Sequence, residues 1–339
     1  MAIGTSFGLI SQDRNRIVRW LFTVAALIFF MVLLGGVTRL TESGLSIVDW
    51  RPVTGTLPPL TDEAWQVEFD KYRTSPEFEK KNSDFSVADF KTIFWFEYLH
   101  RLLGRLIGLA FAVPFFWMLW RGQIPAPLKP RLWLLLGLGG LQGFMGWYMV
   151  ASGLVDQPYV SQYRLAAHLG LAFAIYGYIV WLLLALTRPA QGRLEPFTAG
   201  LALVIFAQIL LGAFVAGLDA GFIYNTWPAM SDGYIVPPDI YSNPPLWPGM
   251  FEDHRIVQFN HRMLAYLITV LVAVWWWLHR RAGKPAHLLA AATLFQVVAG
   301  IVTLVLLPYI PAWLAVFHQA GGLILFTAAL YALHMVRRP

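Results

Sequence analysis

Phe96-Glu97-Tyr98-Leu99-His100-Arg101 stands near the start of the apolar run 94–120, and Val257-Gln258-Phe259-Asn260-His261-Arg262 stands at the head of the apolar run 257–279. The second segment echoes the first. Leu165-Ala166-Ala167-His168-Leu169-Gly170 and Ala315-Val316-Phe317-His318-Gln319-Ala320 make a second matched pair. Each histidine lies about two turns or less inside a segment long enough to cross a bilayer. An imidazole in hydrocarbon needs a partner, because an unsatisfied polar group there costs several kcal/mol. Two imidazoles per half-molecule point to axial ligands for haem iron.

Working outward, the whole chain reads as membrane protein. A soluble domain carries about 25% charged residues, whereas this chain of 339 residues is 13% charged and 58% hydrophobic. It has no cysteine, which removes disulfides, thiolate-bound zinc, iron–sulfur clusters and thiol nucleophiles together. Its net charge of +6 is carried largely by connections between apolar runs, so it reports topology and not nucleic-acid binding. The polar start, Met1 to Arg16, leads into an apolar run with no small-residue cleavage site. This reads as an uncleaved first span of a bacterial protein.

A span takes about 20 apolar residues, and eight are expected at 17–37, 94–120, 131–151, 163–187, 197–217, 257–279, 286–307 and 312–335. Arg and Lys concentrate at the N-terminus, in the 2–3, 4–5 and 6–7 connections and at Arg337-Arg338. Both termini are therefore expected on the cytoplasmic side of a bacterial inner membrane. The long connections 38–93 and 218–256 then lie outside, the first with a short surface helix around 62–80. The run from Gly35-Gly36 through Glu42, Gly44 and Trp50 aligns without gaps, at one constant offset, with Gly212, Asp219, Gly221 and Trp227. Gln142 with Gly146 repeats as Gln296 with Gly300, and Pro58-Pro59 as Pro237-Pro238. The expected fold is an all-α membrane protein of eight transmembrane helices in two pseudo-two-fold related four-helix bundles, 1–190 and 191–339.

The second and fourth spans run the same way, so His100 and His168 reach one level, roughly 8–10 Å below the outer boundary at 1.5 Å per residue. His261 and His318 do the same in the second half. One flat ligand per half, near the outer face, fits that spacing. Zinc wants three or four ligands and each half offers two. Copper lacks its usual soft partners, and a lone intramembrane histidine can also simply bond a carbonyl. Arg101, Arg164 and Arg262 are candidate propionate contacts, with snorkelling to headgroups as the alternative. His254, in the second long connection, has no assigned role. Glu97 lies one turn before His100, where the second half has Gln258. A carboxylate beside one ligand and an amide beside the other suggest that one site does chemistry and the other holds a fixed group.

Glu97-Tyr98-Leu99-His100-Arg101, Asn260-His261-Arg262, His168, His318 and the run Gly35-Gly36-Val37-Thr38-Arg39-Leu40-Thr41-Glu42-Ser43-Gly44 together resemble haem A synthase, in its cysteine-free branch. The resemblance covers nearly all eight spans. It implies oxidation of the C8 methyl of haem O to a formyl group by successive hydroxylations, giving haem A for aa3-type terminal oxidases. It implies haem b as resident cofactor on His261 and His318. It further implies haem O as substrate between His100 and His168, with Glu97 catalytic. Haem O synthase upstream, terminal oxidase assembly downstream and an unnamed electron donor are the partners it implies, in the lipid bilayer. A di-haem b-type quinol or electron-transfer cytochrome is the first alternative. A haem carrier without catalysis is the second.

Overall fold

The computed structural model describes residues 11–50, 54–154, 158–231, 233–238, 240–241, 246–307, 309 and 313–338. Among them, eight helices are long and apolar enough to cross a membrane. These are α1 (Ser11–Leu40), α4 (Val87–Trp120), α5 (Lys129–Gly153), α6 (Gln162–Thr187), α7 (Pro196–Gly217), α9 (His254–His279), α10 (Lys284–Leu306) and α11 (Trp313–Met335). Three shorter helices, α2 (Asp62–Tyr72), α3 (Pro76–Lys80) and α8 (Leu246–Glu252), lie in the two long connections. The all-α, eight-span expectation holds, as does a surface helix near 62–80. The expected eighth span begins at 312, just outside the described residues.

Most helix limits fall within a few residues of the hydropathy reading. The exceptions are the first span, whose helix starts at 11 and not 17, and the second, which starts at 87 and not 94. Ser86 and Asp89 close a capping box at the head of α4, Asp89 N–H donating to Ser86 Oγ and Ser86 N–H to Asp89 Oδ2. Two orphan donors of the first turn are thereby satisfied, and the helix extends beyond its apolar run. Its outer turns are covered by α2 and α3, through the buried cluster Trp65, Phe69, Tyr72, Phe90, Phe94 and Tyr98.

α1 and α7 end alike. Glu42 and Asp219, which are repeat partners, both take positive φ, 51° and 52°. A left-handed residue after the last turn lets the chain leave the helix while backbone donors close it. Ser43 N–H donates to Thr38 O, and Asp219 N–H to Ala216 O.

α1, α6, α7 and α11 pack on one another at the middle of the molecule, with α4 and α5 flanking α1 and α6, and α9 and α10 flanking α7 and α11. The main core includes Leu21, Phe115, Leu132, Ile179, Leu201 and Trp275. Trp275 donates its indole N–H to Thr198 Oγ1 at 2.8 Å. That core gathers toward the ends of the helices near the basic connections, and leaves the other end hollow. At the basic end, Arg193–Leu194 pairs antiparallel with Arg337–Arg338, joining the 4–5 connection to the C-terminal segment.

The connection between α1 and α4 buries a carboxyl whose titration is displaced upward. Glu77 is 2% exposed and accepts a hydrogen bond from Tyr72 Oη at 3.1 Å. Burial raises its carboxyl from the ordinary 4.5 to about 7. The folded connection thus holds a proton that the unfolded chain has lost between those values. Its contribution is full below about pH 4.5 and falls as pH rises through 7. Hydrogen exchange in α2 and α3, corrected for the intrinsic rate, is expected to quicken from pH 5 to 8. Glu77→Gln is expected to remove that dependence.

Candidate active site

All four repeated histidines line one cavity of about 1750 Å³. Pockets for single small ligands span about 300–1,000 Å³, so this space exceeds one such site. His100 on α4 and His168 on α6 line it together with His261 on α9 and His318 on α11. Among the described residues, no group of three or more His, Cys, Asp or Glu could hold a metal ion directly. A four-coordinate zinc site is therefore not built here.

A glycine lies against each imidazole. A Cβ at Gly35 would stand 3.2 Å from the His100 ring, at Gly146 3.3 Å from His168, at Gly212 3.3 Å from His261 and at Gly300 2.8 Å from His318. Gly35 and Gly212 are repeat partners, as are Gly146 and Gly300. A larger residue at any of these glycines would press on an imidazole that lines the cavity. Glutamines hold three of them from the neighbouring helix. Gln142 Nε2 donates to His168 O at 3.2 Å, Gln208 Nε2 to His261 O at 2.9 Å and Gln296 Nε2 to His318 O at 3.0 Å. The same amides lie 3.1–3.4 Å from ring nitrogens. Contacts of this kind, made behind a ligand, fix how an imidazole presents itself to a metal. His100 lacks such a glutamine, because the position equivalent to Gln208 is Met31. Gln208 escapes a search for repeats for that reason. It was still readable as an amide in the middle of an apolar span.

The two long connections repeat one contact in detail. Arg101 donates to Ile47 O at 2.9 Å and Asp49 O at 3.1 Å. Arg262 donates to Tyr224 O at 2.7 Å and Thr226 O at 3.0 Å. Ile47 and Tyr224 are repeat partners, as are Asp49 and Thr226. Each arginine therefore clamps the connection that folds back over its own histidine helix. Arg101 also lies over the Trp50 ring at 5.3 Å. Arg262 is 7% exposed, and among the described residues its Nε and Nη1 have no hydrogen-bond partner. Arg101 and Arg262 line the cavity, together with Arg105, Trp50 and Trp227. Arg164 is not among the lining residues; its guanidinium lies over Tyr148. His254 starts α9 and lines the cavity, although it falls in a connection by hydropathy. Arg39, at the end of α1, pairs with Asp219, just past the end of α7, at 3.0 Å.

Glu97 is 2% exposed and lines the cavity on the same helix as His100. Its Oε2 accepts from Ser46 Oγ at 2.7 Å and from Ile47 N–H at 2.8 Å. Its Oε1 is 2.6 Å from Arg101 Nη2. Gln258, equally buried, does the reverse, donating Nε2 to Tyr224 O at 3.1 Å and Gly221 O at 3.4 Å. The asymmetry noted in the sequence is thus built into the surroundings of both residues.

The donor set fits haem better than a bare ion. Imidazoles suit iron, they come in pairs from facing helices of a bundle, and His318 Nδ1 is buried without a partner. Arg262 adds two buried donors that an anionic substituent would satisfy.

Residues 18–330 match the model of a family described as cytochrome oxidase assembly protein, COX15-CtaA. The chain is 49% identical over 333 residues to heme A synthase of Parvibaculum lavamentivorans, covering 96% of each. It is 47% identical to heme A synthase of Nitrosospira multiformis, covering 94% of this chain and 93% of the relative. It is 50% identical to heme A synthase of Rhodopseudomonas palustris strain BisA53, covering 89% and 85%. The chain belongs to the COX15-CtaA family of cytochrome oxidase assembly proteins.

Proposed function

We propose that this chain is a haem A synthase, which oxidises the C8 methyl of haem O to a formyl group and supplies haem A to terminal oxidase assembly. The observation that carries the reading is Glu97, a buried carboxylate one turn before His100 where the matching position before His261 is Gln258, in a cavity lined by all four histidines. Near-full-length identity of about half to named heme A synthases supports it. A di-haem electron-transfer cytochrome or a haem carrier has no use for a carboxylate in only one half.

The halves take different roles in this reading. Residues 191–339 hold haem b between His261 and His318, and residues 1–190 receive haem O between His100 and His168. Haem b supplies one-electron relay when bound. Gln208 and Gln296 brace both of its proposed ligands, which suits a permanent occupant. The first half braces one ligand by glutamine and leaves more room. A Cβ at Gly108, Gly139, Gly140 or Gly143 would meet nothing within 4 Å. The repeat partners of these glycines are Thr269, Thr293, Leu294 and Val297. Haem O carries a farnesyl tail that haem b lacks, and space of this kind admits it. Gly143→Leu is expected to cut haem O binding about tenfold by overfilling that space. Haem b content should stay at the wild-type level, with both measured by chromatography of haems extracted from purified protein.

Arg262, and Arg101 beside its clamp on the outer connection, are placed to meet propionates. Glu97 takes up or hands on a proton at the methyl being oxidised. Orientation with both termini in the cytoplasm of a bacterial inner membrane, and the haem sites near the outer face, follows from the arginine distribution. Haem O synthase is the proposed supplier of substrate, with a separate electron donor.

Chromatography of haems from a host that makes haem O tests the function. Haem A should form only when the chain is expressed.

A further inference from the structure

We propose that Ser46 is a positioning residue for catalysis, which with the Ile47 amide saturates one oxygen of Glu97 and leaves the other as the reacting oxygen. The inference rests on the reading that Glu97 does the chemistry.

Ser46 is 1% exposed, in the connection that folds back over α4. Its hydroxyl and the Ile47 N–H converge on Oε2 of Glu97, at 2.7 and 2.8 Å. Both are donors to a carboxylate, and such charge-assisted bonds are the strong ones. Among the described residues, Oε1 receives no bond from the connection and faces the Arg101 guanidinium, with Nη2 at 2.6 Å. The two oxygens are therefore not equivalent. Oε2 is held by two donors from the connection, and Oε1 is paired with a cation that also lines the cavity.

The second half supplies the internal control. The position equivalent to Ser46 is Ile223, whose side chain has no donor and which is 45% exposed. There the buried partner is an amide, and the connection offers it carbonyl oxygens from Gly221 and Tyr224. Donors face the carboxylate and acceptors face the amide. Ser46 and Glu97 thus differ from their repeat partners together, as one unit. A serine kept only to finish the loop would not need to follow Glu97 in this way.

Fixing Oε2 removes rotation about the last side-chain bond. Oε1 is thereby held in one place relative to His100, one turn on along the same helix. Small displacements of a catalytic group carry large rate penalties.

The test is Ser46→Ala in the full-length protein with haem b bound. Turnover of haem O is expected to fall about 10- to 100-fold, the worth of a hydrogen bond to a charged group. The KM should stay within about twofold, since positioning acts after binding. The infrared carboxylate band that disappears in Glu97→Gln is expected to shift in Ser46→Ala, with haem b content at the wild-type level. Ile223→Ser should change neither rate nor band. Wild-type turnover with an unshifted band in Ser46→Ala would overturn the proposal, as would loss of haem b from that variant. Normal haem A yield from Glu97→Gln would instead remove the reading on which the proposal rests.

Discussion

Glu97→Gln is expected to abolish haem A formation while leaving the protein folded and its resident haem in place. General acid–base catalysis by a positioned side chain contributes about 10²–10⁴-fold, so haem O should accumulate and haem A should fall by that factor. The substitution is not neutral for the surroundings. The first half presents Ser46 Oγ–H and Ile47 N–H to this position, and an amide can accept there only with its carbonyl oxygen. Its NH₂ group is then forced toward the Arg101 guanidinium, where Oε1 now makes an ion pair at 2.6 Å. Loss of that pair frees one contact of Arg101, which still holds Ile47 O and Asp49 O. The loop should therefore stay closed, and the defect should lie in turnover. Quantifying haems O and A in extracts of cells expressing each variant checks this. A wild-type ratio in Glu97→Gln would take the carboxylate out of the mechanism.

His261→Ala and His318→Ala are expected to strip haem b from the purified protein. Losing a partner that merely orients a ligand costs about 10–100-fold in metal affinity, so losing the ligand itself should cost at least tenfold. Each substitution also leaves a gap beside a glycine, Gly212 or Gly300. Gln208 or Gln296 keeps its backbone bond but loses the ring it steadied. The counterpart changes, His100→Ala and His168→Ala, should leave the haem b content unchanged and remove haem O conversion. Pyridine haemochrome spectra separate these outcomes. Equal loss of haem b from variants in either half would contradict the division of labour between halves.

Much of this architecture was legible because hydrocarbon imposes a simple rule. Eight apolar runs became eight long helices, with most ends within a few residues. The two helix starts that were misplaced lie where polarity is mixed. At residues 87–93 the capping box outweighs the polar side chains. The packing of α1, α6, α7 and α11 at the centre could not be read, since their apolar residues run all round the helix and mark no preferred face. The four histidines and Glu97 were visible as polar residues out of place in apolar runs. Ser46 was not, because serine in a polar connection is ordinary until the chain folds it over α4. Arg101 and Arg262 were read as candidate propionate contacts. Their larger structural task, clamping matched backbone carbonyls in the two long connections, depends on loop conformation and leaves no mark in the spacing.

The central claim is that this chain converts haem O to haem A. The direct measurement is reverse-phase separation of haems extracted from a host that makes haem O and has no haem A of its own, with and without the chain. A haem A peak that appears with the wild-type chain and vanishes with Glu97→Gln is the predicted result. Haem O and haem B alone, in cells holding the full-length, haem-loaded protein, would contradict it.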